Sequence, residues 1–193
     1  MSPQRRREHL ITAALALYGR LPPEQVSVDD VTRAADVSRA LFYRYFRGMD
    51  ELHVAALGTV ATELTTRVSM APGRSAADQL RGALAEFLAV AQRHASAYVA
   101  LLRSGSVIST GETDALVDGV RDHIVALVVE RLGPAAPTPL HLMTVRGWVA
   151  LVEGSCLTWL QDPAVDRETL LDWLAAQLTA MVGVTAGVPT GGR

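Results

Sequence analysis

Two closely spaced helix starts near the N-terminus constrain this chain more than any other feature. Ser27 and Ser38 are both suited to begin a helix, because a serine hydroxyl can accept a free backbone amide of the first turn. The first helix is expected to end near Ala35, so only Asp36 and Val37 separate it from the second cap. Two short helices joined by such a short turn must cross steeply.

The second short helix, from Ser38 to about Phe46, is predicted to have an apolar inner face and a polar outer face. Apolar residues of the pair are placed to form a small core: Val28, Val31, Ala34, Ala35, Val37, Leu41 and Phe42. The outer face then carries Ser38, Arg39, Ala40, Tyr43 and Arg44. The major groove of DNA can accept a short helix that presents Arg, Tyr and a small residue near its N-terminus.

Helix signals continue along the rest of the chain. Abundant Ala and Leu and few aromatic residues (5%) favour helices over strands, and the fold is predicted to be all-α. Capping residues, glycines and prolines divide the chain into nine predicted helices. These cover residues 4–18, 27–35, 38–46, 50–70, 75–94, 96–103, 113–132, 138–161 and 166–186.

Charge is distributed unevenly between the two ends of the sequence. Residues 1–47 carry eight Arg against five acidic residues, whereas residues 48–193 carry ten Arg against fifteen. A basic N-terminal part is expected if only that part contacts DNA. The run Arg5-Arg6-Arg7 has two interpretations, a flexible arm that reaches a minor groove or the solvated start of a helix.

A cytoplasmic location is expected from cysteine usage and hydropathy. Cys156 is the only cysteine and cannot form an internal disulfide. The N-terminus has no apolar stretch typical of a signal peptide, and no apolar run approaches the length that spans a membrane.

Residues 26–52 resemble the DNA-binding signature of the tetracycline-repressor (TetR) family. That signature is a helix-turn-helix whose recognition helix ends in a Tyr-x-Tyr-Phe run, present here as Tyr43-Arg44-Tyr45-Phe46, followed by a long helix. The resemblance implies a three-helix DNA-binding domain at residues 1–48 and a helical ligand-binding and dimerisation domain at residues 49–186. Residues 187–193, rich in Gly, are expected to form a disordered tail.

The resemblance also assigns contacts with DNA. It makes the Ser27 hydroxyl and Tyr43 phosphate contacts, and it places Ser38, Arg39, Ala40 and Arg44 against bases or backbone. Tyr45 and Phe46 are expected to pack inside the protein instead.

The sequence departs from the family pattern at three positions. Met49 stands where the family commonly has a phosphate-binding Lys, and Asp36 and Ala40 stand where Gly is frequent. Arg47 is near enough in sequence to supply the missing cation. Asp enters the left-handed backbone region more readily than most residues, so the turn can accept Asp36.

The resemblance implies that the helices predicted at 50–70, 75–94, 113–132 and 138–161 enclose a cavity for an apolar or amphipathic small molecule. Candidate ligand-binding residues are polar or aromatic side chains on apolar segments: Phe87, Tyr98, Arg103, His123, Trp148 and Glu153. Each also has a purely structural explanation, as a core residue or as part of the surface.

The last two predicted helices are expected to form the homodimer interface. The helix at 138–161 is apolar on nearly all sides and needs cover on more than one of them. Family similarity implies a four-helix interface between two copies, with Trp159, Leu170, Trp173, Leu174 and Leu178 as candidate contacts. On this interpretation, Leu174→Arg yields monomers.

The sequence therefore predicts a dimeric repressor of a palindromic operator that is released by a small molecule. Two alternatives stay open, a DNA-binding regulator without a sensor and a helical-bundle enzyme. The enzyme is disfavoured because the chain has no Glu-x-x-His pair and no Gly-rich phosphate loop. No cofactor, metal or membrane partner is expected.

Overall fold

The computed structural model describes residues 2–69, 75–102, 111–132, 134 and 136–186. Over these residues the chain forms helices and no strands, which confirms the predicted fold class. The α-helices are α1 Pro3–Tyr18, α2 Val28–Ala34, α3 Arg39–Tyr45, α4 Met49–Ser69, α5 Ala76–Arg93, α6 Ala95–Leu102, α7 Gly111–Leu132, α8 Pro139–Gln161 and α9 Arg167–Ala186. A short 3-10 helix, Pro23–Gln25, was not predicted. Residues 187–193 and Arg103 lie outside the described residues.

The chain divides into two compact units, each built from two separate stretches of the sequence. The first unit comprises Met1–Glu63 and Val90–Val117, and the second comprises Leu64–Ala89 and Asp118–Arg193. Helices α4, α5 and α7 therefore each contribute residues to both units.

The core of the first unit joins α1, α2, α3 and the first half of α4. The inner face of α1 contributes Leu10, Ile11, Ala14 and Tyr18, which are buried. The other main core residues are Val31, Ala35, Phe42, Phe46, Leu52, Ala56 and Leu57. Phe46 is buried as expected, and Tyr45 packs against the same core.

One predicted core residue of α2 is wrong. Ala34 is exposed, whereas Thr32 is buried together with Val31 and Ala35. At 3.6 residues per turn, Thr32 lies closer than Ala34 to the middle of the face defined by Val28, Val31 and Ala35. The Thr32 hydroxyl donates to the Asp29 carbonyl at 3.1 Å, which satisfies its polar group inside the protein.

Two polar rings lie against each other in the first unit. The centroids of the Tyr18 and His53 rings are 5.6 Å apart, and both side chains are buried. Neither the Tyr18 hydroxyl nor a ring nitrogen of His53 has a hydrogen-bond partner among the described residues. Burial lowers the pKa of His53, and it outweighs the smaller opposite effects of Asp50, the Pro23 carbonyl and Glu24.

We expect His53→Leu to reduce the sensitivity of the protein to mild acid. Unfolded His53 has its ordinary pKa of about 6.5, above the folded value, so the unfolded chain binds protons more readily as pH falls. The free energy of unfolding of the wild type should therefore decrease below about pH 6.5, and the variant should lose this contribution.

Urea unfolding at a series of pH values between about 5 and 7.5 checks this expectation. Tyr18→Phe is the control, because it removes the neighbouring unpartnered hydroxyl without changing a group that titrates in this range. An equal pH dependence in wild type and His53→Leu would contradict the assignment.

The second unit is held together by α8 packed against α9. Its buried residues include Val145, Trp148, Val149, Val152 and Cys156 on α8 and Leu170, Leu171, Leu174 and Leu178 on α9. The Trp148 indole Nε1 donates to the Leu174 carbonyl oxygen at 2.9 Å, which fixes the two helices against each other. In the part of the chain that the structure describes, no helix is long and apolar enough to cross a membrane.

Candidate nucleic-acid interface and ligand cavity

Both helices of the predicted helix-turn-helix begin at the predicted caps. The Ser27 hydroxyl accepts the Asp30 amide at 3.3 Å, and Asp30 Oδ2 accepts the Ser27 amide at 3.0 Å, so the two residues form a capping box. The Ser38 hydroxyl accepts the Leu41 amide at 3.2 Å and begins α3. These bonds connect residues three apart in sequence, so they form wherever the local chain turns into a helix.

Asp36 makes the turn between α2 and α3. Its φ of +50° lies in the left-handed region, as expected for this position. The Asp36 amide donates to the Arg33 carbonyl at 3.3 Å and the Val37 amide to the Thr32 carbonyl at 3.0 Å. This pair of bonds is a Schellman motif, which ends α2 and sets the direction of the chain into α3.

Asp36→Gly is expected to stabilise the protein. Glycine adopts the left-handed conformation without the steric cost that a Cβ atom imposes, so the free energy of unfolding should rise by up to about 1 kcal/mol. For a chain of this size that corresponds to a melting temperature higher by roughly 2–4 °C. Asp36→Ala, measured in the same thermal unfolding experiment, should instead lower the melting temperature. A stabilising Asp36→Ala would contradict the role assigned to the backbone.

Helix α1 supports the helix-turn-helix by two contacts that the sequence did not reveal. His9 Nε2 donates to the Ala35 carbonyl at 2.9 Å and so partners a carbonyl group at the end of α2. The Arg7 guanidinium lies over the Phe46 ring, 4.9 Å from its centroid. Arg5, Arg6 and Arg7 belong to α1, which begins at Pro3, so the run forms the start of a helix here.

The outer face of α3 presents its polar residues to solvent. Ser38, Arg39, Ala40, Tyr43 and Arg44 are all exposed. The Tyr43 side chain is 52% exposed, and its ring meets the buried Phe42 ring edge-on at 5.4 Å. Phe42 thus holds the backbone of α3 from inside while Tyr43 points outward.

The two cations on this face, Arg39 and Arg44, and Arg47 just after α3 differ in their partners. Arg39 Nε lies 3.3 Å from Asp29 Oδ1, and Arg47 Nε lies 3.1 Å from Glu51 Oε2. Within the described residues, no carboxylate lies at salt-bridge distance from Arg44. Arg44 therefore presents the least neutralised positive charge on this face of α3.

Ser27 is less available as a donor than the sequence indicates. Its hydroxyl donates its proton to Asp30 Oδ2 at 2.5 Å. The same hydrogen bond keeps the pKa of Asp30 below its usual range, so the carboxylate is charged at neutral pH. A phosphate contact from Ser27 thus requires the hydroxyl proton to turn away from Asp30.

The second unit contains a small apolar cavity that opens to solvent. Residues of α4, α5, α7 and α8 line it, the four helices that the family resemblance implied. The apolar lining consists of Val68, Leu80, Ala83, Leu84, Phe87, Val120, Ile124, Leu127, Val128, Trp148, Val149 and Val152. The charged lining residues are Arg121 and Glu153.

Arg121 and Glu153 form a multiply bonded ion pair on the cavity wall. Arg121 Nη2 donates to Glu153 Oε2 at 2.8 Å, and Arg121 Nε donates to Oε1 at 3.0 Å. Arg121 Nη1 also donates to Asp118 Oδ1 at 3.1 Å. The hydrogen bonds with Glu153 raise the pKa of Arg121 further, so the guanidinium is charged at any physiological pH.

Comparison with known proteins identifies the family of the chain. Residues 10–56 match the family model for bacterial regulatory proteins of the tetR family, and residues 76–181 match the tetracyclin repressor-like C-terminal domain. A tetR-family transcriptional regulator from Streptomyces coelicolor is 31% identical, with a TM-score of 0.90 over 96% of this chain and 84% of that one. The chain belongs to the TetR family.

Two further proteins resemble the chain over different lengths. The HTH-type transcriptional regulator BetI of Brucella anthropi is 39% identical over 75 residues, which are 39% of this chain and only 38% of that protein. A transcriptional regulator from Rhodococcus sp. RHA1 shares the fold, with a TM-score of 0.75, 23% identity and coverage of 95% of this chain and 99% of that one. This TetR-family protein is thus a DNA-binding transcriptional regulator, and the family is not one of enzymes.

The candidate ligand residues of this TetR-family regulator fall into three groups. Phe87, Trp148 and Glu153 line the cavity. Tyr98 on α6 belongs to the first unit, and His123 on α7 is half-buried outside the cavity lining. Sequence reasoning missed Arg121, although its position three residues before Ile124 places it on the inner face of α7.

The candidate dimer residues are mostly buried within their own chain. Leu174 is fully buried, and Trp159, Leu170 and Leu178 are nearly so. Trp173 is 44% exposed and can contact a partner without rearrangement. The exposed apolar surface of α8 and α9 lies instead at Leu142, Met143, Trp173 and Val184.

Proposed function

We propose that this TetR-family regulator is a cytoplasmic repressor that binds a palindromic operator as a homodimer and is released by a small molecule. The observation that carries the proposal is the course of α4. Its first half contributes Leu52 and Ala56 to the core beneath the recognition helix, and Val68 near its end lines the apolar cavity. A ligand that displaces Val68 therefore acts on the helix that directly follows the DNA-reading face.

The exposed face of α3 supports the DNA-binding half of the proposal. The adjacent residues Tyr43 and Arg44 supply an exposed hydroxyl and an exposed positive charge. The small side chains of Ser38 and Ala40 leave room for the helix backbone to approach the groove. The Arg47 side chain is exposed, and its salt bridge to Glu51 lies at the surface. Arg47 can therefore supply the positive charge that is missing because Met49 stands in place of a Lys.

The outer face of α8 and α9 supports the homodimer. Along α8, Met143, Ala150 and Gly154 are exposed at helical spacing, and a Cβ atom at Gly154 would meet no other atom within 4 Å. On α9 the exposed residues include Trp173 and Val184. A stripe of small residues beside large apolar ones suits close contact with a second copy, and two-fold protein symmetry matches a palindromic operator.

Fluorescence anisotropy with DNA from upstream of its own gene, compared with a scrambled duplex, tests the proposal. We expect tighter binding to the specific duplex by at least about a thousandfold, two protomers per site, and weaker binding at higher salt. Addition of a cavity ligand should release the DNA. Equal binding to the scrambled duplex and to every fragment of a genomic selection would contradict operator recognition, and binding of one protomer per site would contradict the dimer.

A further inference from the structure

An ion pair connects the start of α3 with the first turn of α2. Arg39 is the first residue of α3, directly after its cap, and its Nε lies 3.3 Å from Asp29 Oδ1. Both side chains are more than half exposed, Arg39 by 61% and Asp29 by 55%. The first turn of a recognition helix is the part that contacts base edges in the major groove. An acidic side chain is thus paired with a cation beside the proposed DNA-reading surface.

Helix α2 begins with two adjacent carboxylates that make different contacts. Asp30 accepts the Ser27 amide at 3.0 Å and the Ser27 hydroxyl at 2.5 Å, and it lies 3.4 Å from Arg33 Nη1. These partners belong to α2 or to its cap. Asp29 Oδ1 instead lies against Arg39 of the next helix. The capping box uses Asp30 alone, so the box does not require the second negative charge that Asp29 brings to this surface.

Pairing at Nε leaves the outer end of the Arg39 guanidinium able to read a base. Arginine carries five N–H donors in a rigid plane, and Nη1 and Nη2 together can donate to two acceptors. Guanine presents two neighbouring acceptors, O6 and N7, in the major groove. An ion pair also limits the rotamers of a long exposed side chain, so less conformational entropy is lost when that side chain binds. Asp29 therefore prepares Arg39 for a bidentate contact with guanine.

The same ion pair disfavours contact between Arg39 and phosphate. A free arginine beside DNA gains from any nearby phosphate, whatever the sequence. Arg39 would have to leave Asp29 to make such a contact, and the exposed carboxylate would then face the phosphates without its cation. A contact with guanine requires no such separation. Arg44 is exposed and has no carboxylate at salt-bridge distance among the described residues, so it supplies the sequence-independent attraction instead.

Resting on the proposed function, which makes the exposed face of α3 the DNA-reading surface, we infer that Asp29 is a specificity-determining residue. It holds the Arg39 guanidinium for a guanine of the operator and keeps it from the phosphate backbone. Discrimination between DNA sequences is a difference between two affinities, and Asp29 increases it mainly by weakening the complexes with wrong sequences.

Fluorescence anisotropy with two duplexes tests this inference. One duplex is the tightest binder recovered from a random-sequence library with the wild-type protein, and the other is its scrambled sequence. We expect Asp29→Asn to bind the scrambled duplex about fivefold to tenfold more tightly at about 0.1 M salt, the value of one additional phosphate contact. The slope of log affinity against log salt concentration on this duplex should steepen by about one. Affinity for the selected duplex should change much less, so discrimination falls.

Two variants serve as controls. Glu8→Gln removes one negative charge from the exposed surface of α1, where Glu8 accepts from Gln4. It changes the net charge by the same amount as Asp29→Asn and should leave the discrimination between the two duplexes unchanged. Arg39→Ala removes the partner, so adding Asp29→Asn to this variant should cause no further loss of discrimination. Circular dichroism verifies that each variant keeps the helical fold.

The base preference provides a second measurement. The library selection is repeated with Asp29→Asn and with Arg39→Ala. We expect one guanine preference of each half-site to be weakened in the first variant and lost in the second. Retention of every wild-type base preference in both variants would overturn the contact between Arg39 and guanine.

The possible outcomes separate the inference from the proposed function. A loss of discrimination in Asp29→Asn that is absent from Glu8→Gln and from the Arg39→Ala background supports the inference. Unchanged discrimination in Asp29→Asn, or an equal loss in the Arg39→Ala background, overturns it and leaves Asp29 as a residue of the α2 N-terminus, while operator recognition stands. Failure of the wild type to prefer any duplex of the library overturns the inference together with operator recognition.

Discussion

Phe42→Ala is expected to lower the free energy of unfolding by about 3–5 kcal/mol and to abolish operator binding. Phe42 is fully buried, and its ring centroid lies 5.8 Å from that of Phe46 in the core beneath α3. Truncation leaves a cavity in that core, and surrounding side chains relax into such a cavity only in part. Urea unfolding measures the loss of stability, and fluorescence anisotropy with the operator duplex measures the loss of binding.

Tyr43→Phe is the matched variant on the other side of the same helix. It removes one hydroxyl from an exposed side chain, so the free energy of unfolding should change by less than about 0.5 kcal/mol. If Tyr43 contacts phosphate, operator affinity should fall roughly fivefold to tenfold, the value of one hydrogen bond. If Tyr43→Phe binds the operator as tightly as the wild type, the Tyr43 hydroxyl does not contact the DNA. If Phe42→Ala is as stable as the wild type, the described packing of α3 is contradicted.

Leu174→Arg is expected to prevent stable folding, so loss of the dimer in an unfolded variant would not locate the interface. Leu174 is fully buried between α9 and α8, next to the bond from Trp148 to its own carbonyl. The substitution removes a core side chain and introduces an unpaired charge, each of which costs several kcal/mol. Together they approach the whole stability of a typical domain, about 5–15 kcal/mol. Far-ultraviolet circular dichroism and urea unfolding should show a largely unfolded chain.

Met143→Arg is the variant that tests the dimer surface. Its side chain is 68% exposed on α8, so a charge at this position stays in water and the single chain should fold normally. If the outer face of α8 and α9 joins two copies, sedimentation velocity should show dimers for the wild type and monomers for Met143→Arg. If Leu174→Arg instead proves folded and monomeric, the interface includes the buried residues of α9.

Local hydrogen bonding explains why most helix boundaries could be predicted. The Ser27, Ser38 and Thr138 caps each accept an amide three residues later, at 3.3, 3.2 and 3.2 Å. These interactions involve no distant part of the chain. The left-handed conformation of Asp36 is also a local feature. The position just after the end of α2 and the identity of this one residue are enough to predict it.

Contacts between distant residues could not be predicted, because periodicity identifies the apolar face of a helix but not the element that covers it. The inward side of α9 was read as a surface for a second copy, yet α8 of the same chain covers Leu174. The bond from His9 to Ala35 connects residues 26 apart in sequence, and nothing in either residue's neighbourhood indicates it.

The sequence by itself determined the helices, their caps and the outward-facing residues of α3. These features depend on residues within one or two helical turns of each other. The tertiary structure alone decided which apolar residues of α9 are internal, and it paired Arg121 with Glu153 across 32 residues. The physical reason is that burial and charge pairing depend on which helices become neighbours, and that choice is made by the packing of the entire core.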